Sequence, residues 1–132
     1  MKHLQVGARG ELSVTVNVEN TAKTMGSGLL DVFATPALVA LLEGAAVKAL
    51  EPFEVSSVGV ALDIQHLAAT PLGMKVRAVA ELVEIERRRL VFRVQAYDEV
   101  ELIGQGRHER FLIDDALFLS KVNAKKTLQE RP

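Results

Sequence analysis

Cysteine is absent from this chain, and aromatic residues are scarce. Without cysteine there can be no disulfide framework, no thiolate metal site and no cysteine nucleophile, so any chemistry must come from oxygen and imidazole groups. One tyrosine, five phenylalanines and no tryptophan leave little material for a platform that stacks nucleic acid bases. The formal net charge of -1 gives no general electrostatic footprint for nucleic acid either. We therefore expect no nucleic acid partner.

Long apolar runs are also missing. No stretch approaches the roughly 20 apolar residues of a membrane-spanning helix, and the N-terminal MKHLQVGARGELSV lacks the apolar run of a signal peptide. We therefore expect no membrane partner and a cytoplasmic location. A chain of 132 residues with 48% hydrophobic residues has the size and composition for one sizeable core. We predict a single domain over residues 1–132, with its core at about 10–114 and a tail at 115–132.

Hydrophobic periodicity predicts one helix among several strands. The pair Thr35-Pro36 predicts a helix that Thr35 caps and that stops near Pro52. Alternation of apolar and polar residues predicts strands over residues 11–18, 57–66, 75–86, 90–97 and 102–113. In the second of these strands strict alternation places His66 on an apolar face and Gly59 on the opposite face. The end of the chain, LSKVNAKKTLQERP, is amphipathic at best, and we expect it to be partly disordered.

Four long strands after one apolar helix indicate an α+β fold, with an antiparallel sheet wrapped around the helix. An open sheet leaves edges that a second copy can pair, so we expect a homodimer or a dimer of dimers.

Glu43 is the only charged residue between Val32 and Val47. On a helical projection it lies away from the polar side and is flanked by Val39, Val47 and Leu50, which we expect to face the core. A carboxyl group in such surroundings can act as a nucleophile or a general base. The plainer interpretation is a boundary glutamate whose stem lies on apolar surface while its head reaches water. Position alone leaves both interpretations open.

The other candidate residues have plain structural interpretations as well. His66 titrates near neutrality, but a core histidine needs only a hydrogen bond. Gly59 suits a backbone group that must be approached closely, or a bulge. Arg110 alternates with His108 on the last strand and can hold a carboxylate or face solvent. The three histidines are dispersed in the sequence, so we expect no metal site.

The run VFATPALVALLEGAAVKAL, followed by VGVALDIQHLAATPLGMKVRAVAELVEIERRRLVFRVQAYDEVELIGQGRHER, resembles the hot-dog fold thioesterases. Within them it is similar to the group that includes fluoroacetyl-CoA thioesterase, over roughly residues 10–126. In that group a threonine at the helix start, a glutamate eight positions later and a histidine on the next strand are catalytic. The matching residues are Thr35, Glu43 and His66. Gly59 and Arg110 match two further positions, which we assign to substrate binding.

The resemblance implies a single hot-dog fold that hydrolyses an acyl-CoA thioester without a cofactor. Glu43 would attack the acyl carbon to form a mixed anhydride, or would activate a water molecule. His66 would activate water or protonate the departing sulfur, while Thr35 would position the reacting group. Eight residues of helix separate Thr35 from Glu43 by about 12 Å. Either the substrate bridges them or a dimer partner completes the site.

The acyl group is where this chain departs from the group's pattern. Its fluoroacetyl-specific members are expected to carry aromatic lid residues before the catalytic threonine, whereas this loop reads MGSGLLDVFAT. Gly26 and Leu29 occupy the expected aromatic positions, and Phe33 is the remaining aromatic candidate for substrate binding. We therefore expect a short or medium acyl-CoA substrate. The alternatives are a non-catalytic acyl-CoA binding module and a hot-dog hydratase or dehydratase acting on acyl thioesters.

Overall fold

A computed structural model of the chain describes residues 3–129 and consists of an antiparallel five-stranded sheet with one long helix against it. The strands follow the order β1-β3-β4-β5-β2 in the sheet, so β1 and β2 are its edges. The prediction of an α+β fold is confirmed, and the four strands after the long helix begin and end within two residues of their predicted bounds. The elements in chain order are β1 (Arg9–Thr15), α1 (Ala22–Met25), α2 (Thr35–Leu50), β2 (Ser56–His66), β3 (Lys75–Glu86), β4 (Arg89–Tyr97), β5 (Leu102–Ile113) and α3 (Asp115–Gln129).

Helix α2 packs against one face of the sheet, mainly over β1 and β3. Alanine and leucine are strong helix formers, and Pro36 lies in the first turn, where its missing N–H costs nothing. The side that packs against the sheet is made of leucine and alanine, and the backbones come close enough that a side chain at Gly10 would collide with the helix backbone at Ala45 and Ala49. Burial of each leucine stabilises the fold by about 1.5–3 kcal/mol. The buried residues of α2 are Leu38, Leu41, Leu42, Ala45, Ala46, Ala49 and Leu50.

The predicted orientation of α2 is wrong around Glu43. Leu50 is buried as expected, but Val47 is 47% exposed and the Glu43 side chain is 40% exposed. Because this helix is apolar on nearly every side, the hydrophobic pattern did not determine which side the sheet covers. The sheet takes the leucine and alanine side, so Glu43 lies at its border.

Strand β2 contains a bulge at Val60 that changes which residues share a face. Gly59 lies opposite Arg110 of β5, whereas Ala61 lies opposite Glu109, so Val60 is an extra residue in the ladder. Residues opposite each other in a ladder point to the same side of the sheet. The bulge therefore brings Gly59 to the side of the sheet on which His66 lies, and the prediction of opposite faces is wrong. Strict alternation does not reveal an inserted residue.

The C-terminal segment forms helix α3 over the residues that the structure describes. The Asp114 carboxylate accepts a hydrogen bond from the backbone N–H of Leu117, which caps the first turn. No residue of Asp115–Gln129 is buried. The expectation of partial disorder is thus not met within this range, and residues 130–132 lie outside the described residues. Within residues 3–129 no helix is long and apolar enough to cross a membrane.

Candidate active site

Thr35 and His66 form a hydrogen-bonded pair between the start of α2 and the end of β2. The Thr35 Oγ1 and His66 Nδ1 atoms are 2.7 Å apart. Ala34 is the N-cap residue of α2, and no side chain caps that end of the helix among the described residues. The prediction that Thr35 is the cap is therefore wrong, because the hydroxyl lies one position further along the helix and contacts His66. A threonine–histidine pair can hold and transfer a proton.

The His66 ring is in a state suited to proton transfer. Burial lowers the pKa of His66 from its ordinary value of 6.5, and a backbone contact with Ala68 opposes this change. The ring is therefore neutral at pH 7, with one nitrogen able to donate and the other able to accept. Nε2 is buried and makes no hydrogen bond to the part of the chain that the structure describes.

Glu43 meets Arg110 two turns along the same helix. The Glu43 Oε2 atom is 3.6 Å from Nη1 of Arg110, which is 6% exposed on β5. The other side of the guanidinium is held by Ser57, because Nε donates to its hydroxyl at 2.8 Å and Nη2 donates to its carbonyl at 3.1 Å. Burial lowers the pKa of Arg110, and the charge of Glu43 raises it. A buried cation needs such a partner, so this ion pair sets the position of the Glu43 carboxylate.

Gly59 provides the space in which the carboxylate lies. A Cβ atom at Gly59 would be 2.6 Å from Oε2 of Glu43 and 3.3 Å from Nη1 of Arg110. Real side chains do not tolerate the first of these distances, so any larger residue here would displace the carboxylate. The bulge and the glycine together bring the backbone of β2 against Glu43.

His108 is a member of this group that we did not select from the sequence. It is 1% exposed, with Nδ1 2.9 Å from the carbonyl oxygen of Ala61 and Nε2 3.1 Å from Nη1 of Arg110. Its ring also stacks on Phe92, with the centroids 6.2 Å apart. Burial is the main cause that lowers the pKa of His108. The available signal was its position two residues before Arg110, which places both side chains on one face of β5.

The structure thus places the predicted residues in two groups within one chain. Thr35 contacts His66, and Glu43 contacts Arg110 beside Gly59, while about 12 Å of helix separates the two groups. Within residues 3–129 no three histidine or acidic side chains are grouped as metal ligands.

Phe33 does not lie where a substrate-binding residue would be freely accessible. Its side chain is 1% exposed and belongs to the hydrophobic core. Its backbone N–H donates to the carbonyl of Thr70, and its backbone forms a β-bridge with Thr21. Its assignment to substrate binding stays a prediction. It lines two pockets, one of about 500 Å³ and one of about 320 Å³ that Thr35 and His66 also line.

Comparison with known proteins identifies the family. The family model described as fluoroacetyl-CoA-specific thioesterase matches residues 16–116. The fluoroacetyl-CoA thioesterase of Streptantibioticus cattleyicolor is 45% identical over 98 residues, which are 72% of this chain and 70% of that protein. This chain belongs to the fluoroacetyl-CoA-specific thioesterase family. The predicted family is therefore confirmed.

Solved structures of the family and of a wider group support the same fold. A phenylalanine-to-alanine mutant of the fluoroacetyl-CoA-specific thioesterase FlK superposes with a TM-score of 0.87 at 36% identity, covering 95% of this chain and 99% of that one. A thioesterase superfamily member from Thermus thermophilus gives a TM-score of 0.89 at 31% identity, covering 98% of both chains. The prediction of a hot-dog fold is confirmed.

Proposed function

We propose that this member of the family hydrolyses short or medium acyl-CoA thioesters to the free acid and CoA, with Glu43 as the reacting carboxylate. The observation that supports this role most directly is the position of Glu43. Its carboxylate is paired with a buried arginine and lies against the backbone at Gly59, in a chain whose family consists of thioesterases. A reacting group must be held in place before the substrate arrives, and this arrangement holds it.

Glu43 has two possible routes to the acid product. In the first, a carboxylate oxygen attacks the thioester carbon, the C–S bond breaks, and the mixed anhydride is then hydrolysed by water. In the second, Glu43 takes a proton from a water molecule that attacks the same carbon. In both routes Arg110 balances the charge of the carboxylate before reaction.

The Thr35–His66 pair supplies the second proton-transfer group. In the first route the neutral ring of His66 accepts a proton from the water that hydrolyses the mixed anhydride and passes it to the CoA thiolate released in the preceding step. In the second route Glu43 takes the proton of the attacking water, and the ring passes that proton from Glu43 to the departing sulfur. The Thr35 hydroxyl holds the ring through Nδ1. Thr35 is thus a positioning group for His66 at the mouth of the pocket that both line.

A homodimer, or a dimer of dimers, would unite the two groups. Strand β2 is a sheet edge, and Val60 on it is 54% exposed. Val47, one helical turn after Glu43, is 47% exposed. If β2 and the adjoining side of α2 paired with the same elements of a second copy, both valines would be buried. The pairing would also bring Glu43 of one copy towards His66 of the other. Alternatively, an extended acyl-CoA would bridge the two groups within one chain.

The loop before α2 supports a substrate range that does not depend on an aromatic lid. Leu29 and Leu30 are 90% and 69% exposed, and Gly26 has a positive φ of 75°. This loop therefore offers small and aliphatic side chains where an aromatic lid would offer phenylalanines, and none of Gly26, Leu29 and Leu30 lines the pocket beside Thr35 and His66. A loop without an aromatic lid suits short or medium acyl groups, and a cytoplasmic location, where acyl-CoA is formed, suits the reaction.

A thiol-release assay over acyl-CoAs from acetyl to about decanoyl, with fluoroacetyl-CoA included, tests this proposal. The parent protein is compared with Glu43→Gln and His66→Ala. Glu51→Gln serves as the matched control, because this carboxylate follows the C-terminal end of α2, has a 66% exposed side chain and pairs with Lys48 instead of a buried arginine. We expect turnover in the parent and in the control, and its loss in the two variants. Unchanged turnover in Glu43→Gln would remove the proposed role of Glu43.

The two other functions give different results with the same samples. A binding module would bind an acyl-CoA saturably and release no thiol. A hydratase or dehydratase would change the absorbance of an enoyl-CoA without releasing thiol. Light scattering during size-exclusion chromatography tests the homodimer, and a monomer at assay concentrations would exclude the partner-completed site.

A further inference from the structure

We propose that His108 is a positioning residue, which fixes the guanidinium of Arg110 against the carboxylate of Glu43 through its own neutral Nδ1–H tautomer. The inference rests on the proposed function of Glu43. It concerns a side chain that is 1% exposed and acts only through Arg110.

The hydrogen bonds of His108 determine its tautomer. The carbonyl oxygen of Ala61 can only accept, so Nδ1, at 2.9 Å, must carry the proton and donate it. The guanidinium of Arg110 can only donate, so Nε2, at 3.1 Å from Nη1, must accept. Both contacts can form together only in the neutral ring with its proton on Nδ1.

This tautomer completes the hydrogen bonds of Arg110. Ser57 accepts from Nε and Nη2, which fixes the plane of the guanidinium. Nη1 carries two N–H groups, of which one is directed to His108 and the other is available to Glu43, 3.6 Å away. Without an acceptor at position 108 a buried N–H would lose its partner, and Arg110 would have to turn to recover one. The carboxylate of Glu43 would then lose its defined position.

The groups that face His108 favour the neutral ring. Burial is the main cause that lowers the pKa of His108, and the charge of Arg110 on the same strand adds to it. The hydrogen bond to the Ala61 carbonyl, Glu43 from α2 and Glu109 from β5 act in the opposite direction, and the net change is a lower pKa. Phe92 from β4 covers one ring face and offers no charge. Protonation of Nε2 would point one donor at another and break the contact with Arg110.

Two substitutions distinguish the effect of the hydrogen-bond acceptor of His108 from the effect of its side-chain volume. His108→Gln can keep an acceptor oxygen towards Arg110, whereas His108→Leu cannot. Arg107→Gln is the matched control, because Arg107 is the neighbouring residue on the exposed face of β5. We expect His108→Leu to lower kcat by about 100-fold with a smaller change in KM, since a misplacement near 1 Å costs about that much. For His108→Gln we expect a loss of about tenfold or less, and for the control none.

Two measurements do not depend on turnover. In the parent protein, long-range ¹H–¹⁵N correlation spectra should show His108 protonated on Nδ1 alone, with His108→Gln used for assignment. In crystal structures, Nη1 of Arg110 should move away from Glu43 in His108→Leu and stay near it in His108→Gln. A parent that binds acyl-CoA but releases no thiol would overturn the proposed function, whatever the spectra show. A proton on Nε2, or an unmoved Arg110 with full kcat in His108→Leu, would overturn the positioning role alone.

Discussion

Substitution of Gly59 by alanine should inactivate the protein while leaving it folded. The added Cβ would lie 2.6 Å from Oε2 of Glu43, 3.2 Å from Cε1 of His108 and 3.3 Å from Nη1 of Arg110. The first distance is too short by roughly 0.8 Å, since ordinary contacts begin near 3.4 Å. The atom that must yield is the end of a flexible side chain that is 40% exposed, so the carboxylate should move rather than the backbone.

A displacement of this size predicts the magnitude of the effect. A shift of about 1 Å in a reacting group can cost about 100-fold in rate, whereas alanine in place of glycine in a strand changes stability by no more than about 1 kcal/mol. We therefore expect Gly59→Ala to lose about 100-fold in kcat/KM for the best acyl-CoA, measured by thiol release. The midpoint of thermal unfolding should change little.

Gly44→Ala is the matched control for this substitution. Its Cβ would lie 2.5 Å from Cδ2 of Leu12, so it also displaces the end of a flexible side chain, but not that of the reacting residue. We expect it to keep its activity. If Gly59→Ala were as active as the parent, or if it unfolded while Gly44→Ala did not, the argument from the position of Glu43 would be refuted.

Three further predictions concern the other residues. Thr35→Val should lower kcat at least about tenfold, because it removes the hydrogen bond to His66. Thr35→Ser keeps the hydroxyl and should keep most activity, and equal rates for the two variants would contradict the positioning role of Thr35. Folding lowers the pKa of His66 and His108 from 6.5, so the unfolded chain binds protons first. The free energy of unfolding should therefore be highest above about pH 6.5. On acidification it should fall by at most about 1.4 kcal/mol per pH unit for each histidine, until the pH passes the pKa of the folded state. Urea titrations at several pH values would measure this fall, and a free energy that does not change with pH would contradict the prediction. Phe33→Ala should lower the free energy of unfolding by about 3–5 kcal/mol, because it empties a core position, and a variant of parental stability would contradict the place of Phe33 in the core.

The local elements could be predicted because their signals are short-range. Alternation along a strand and the Thr35-Pro36 pair depend on neighbouring residues, so the strands after the helix and the start of α2 were predicted well. Helix α3 was not predicted, because none of its residues is buried. A helix that does not pack against a core carries only a weak hydrophobic periodicity in its sequence.

The sequence by itself determined the α+β class, the absence of cysteine chemistry and, through the resemblance of the run from Val32 to Arg110 to known thioesterases, the family. Only the tertiary structure decided how these residues are grouped. The face of α2 that the sheet covers depends on packing against distant strands, and the bulge at Val60 depends on the register with β5. These two features place Glu43 beside Arg110 and Thr35 beside His66. Such long-range choices follow from how surfaces fit together, which no local pattern encodes.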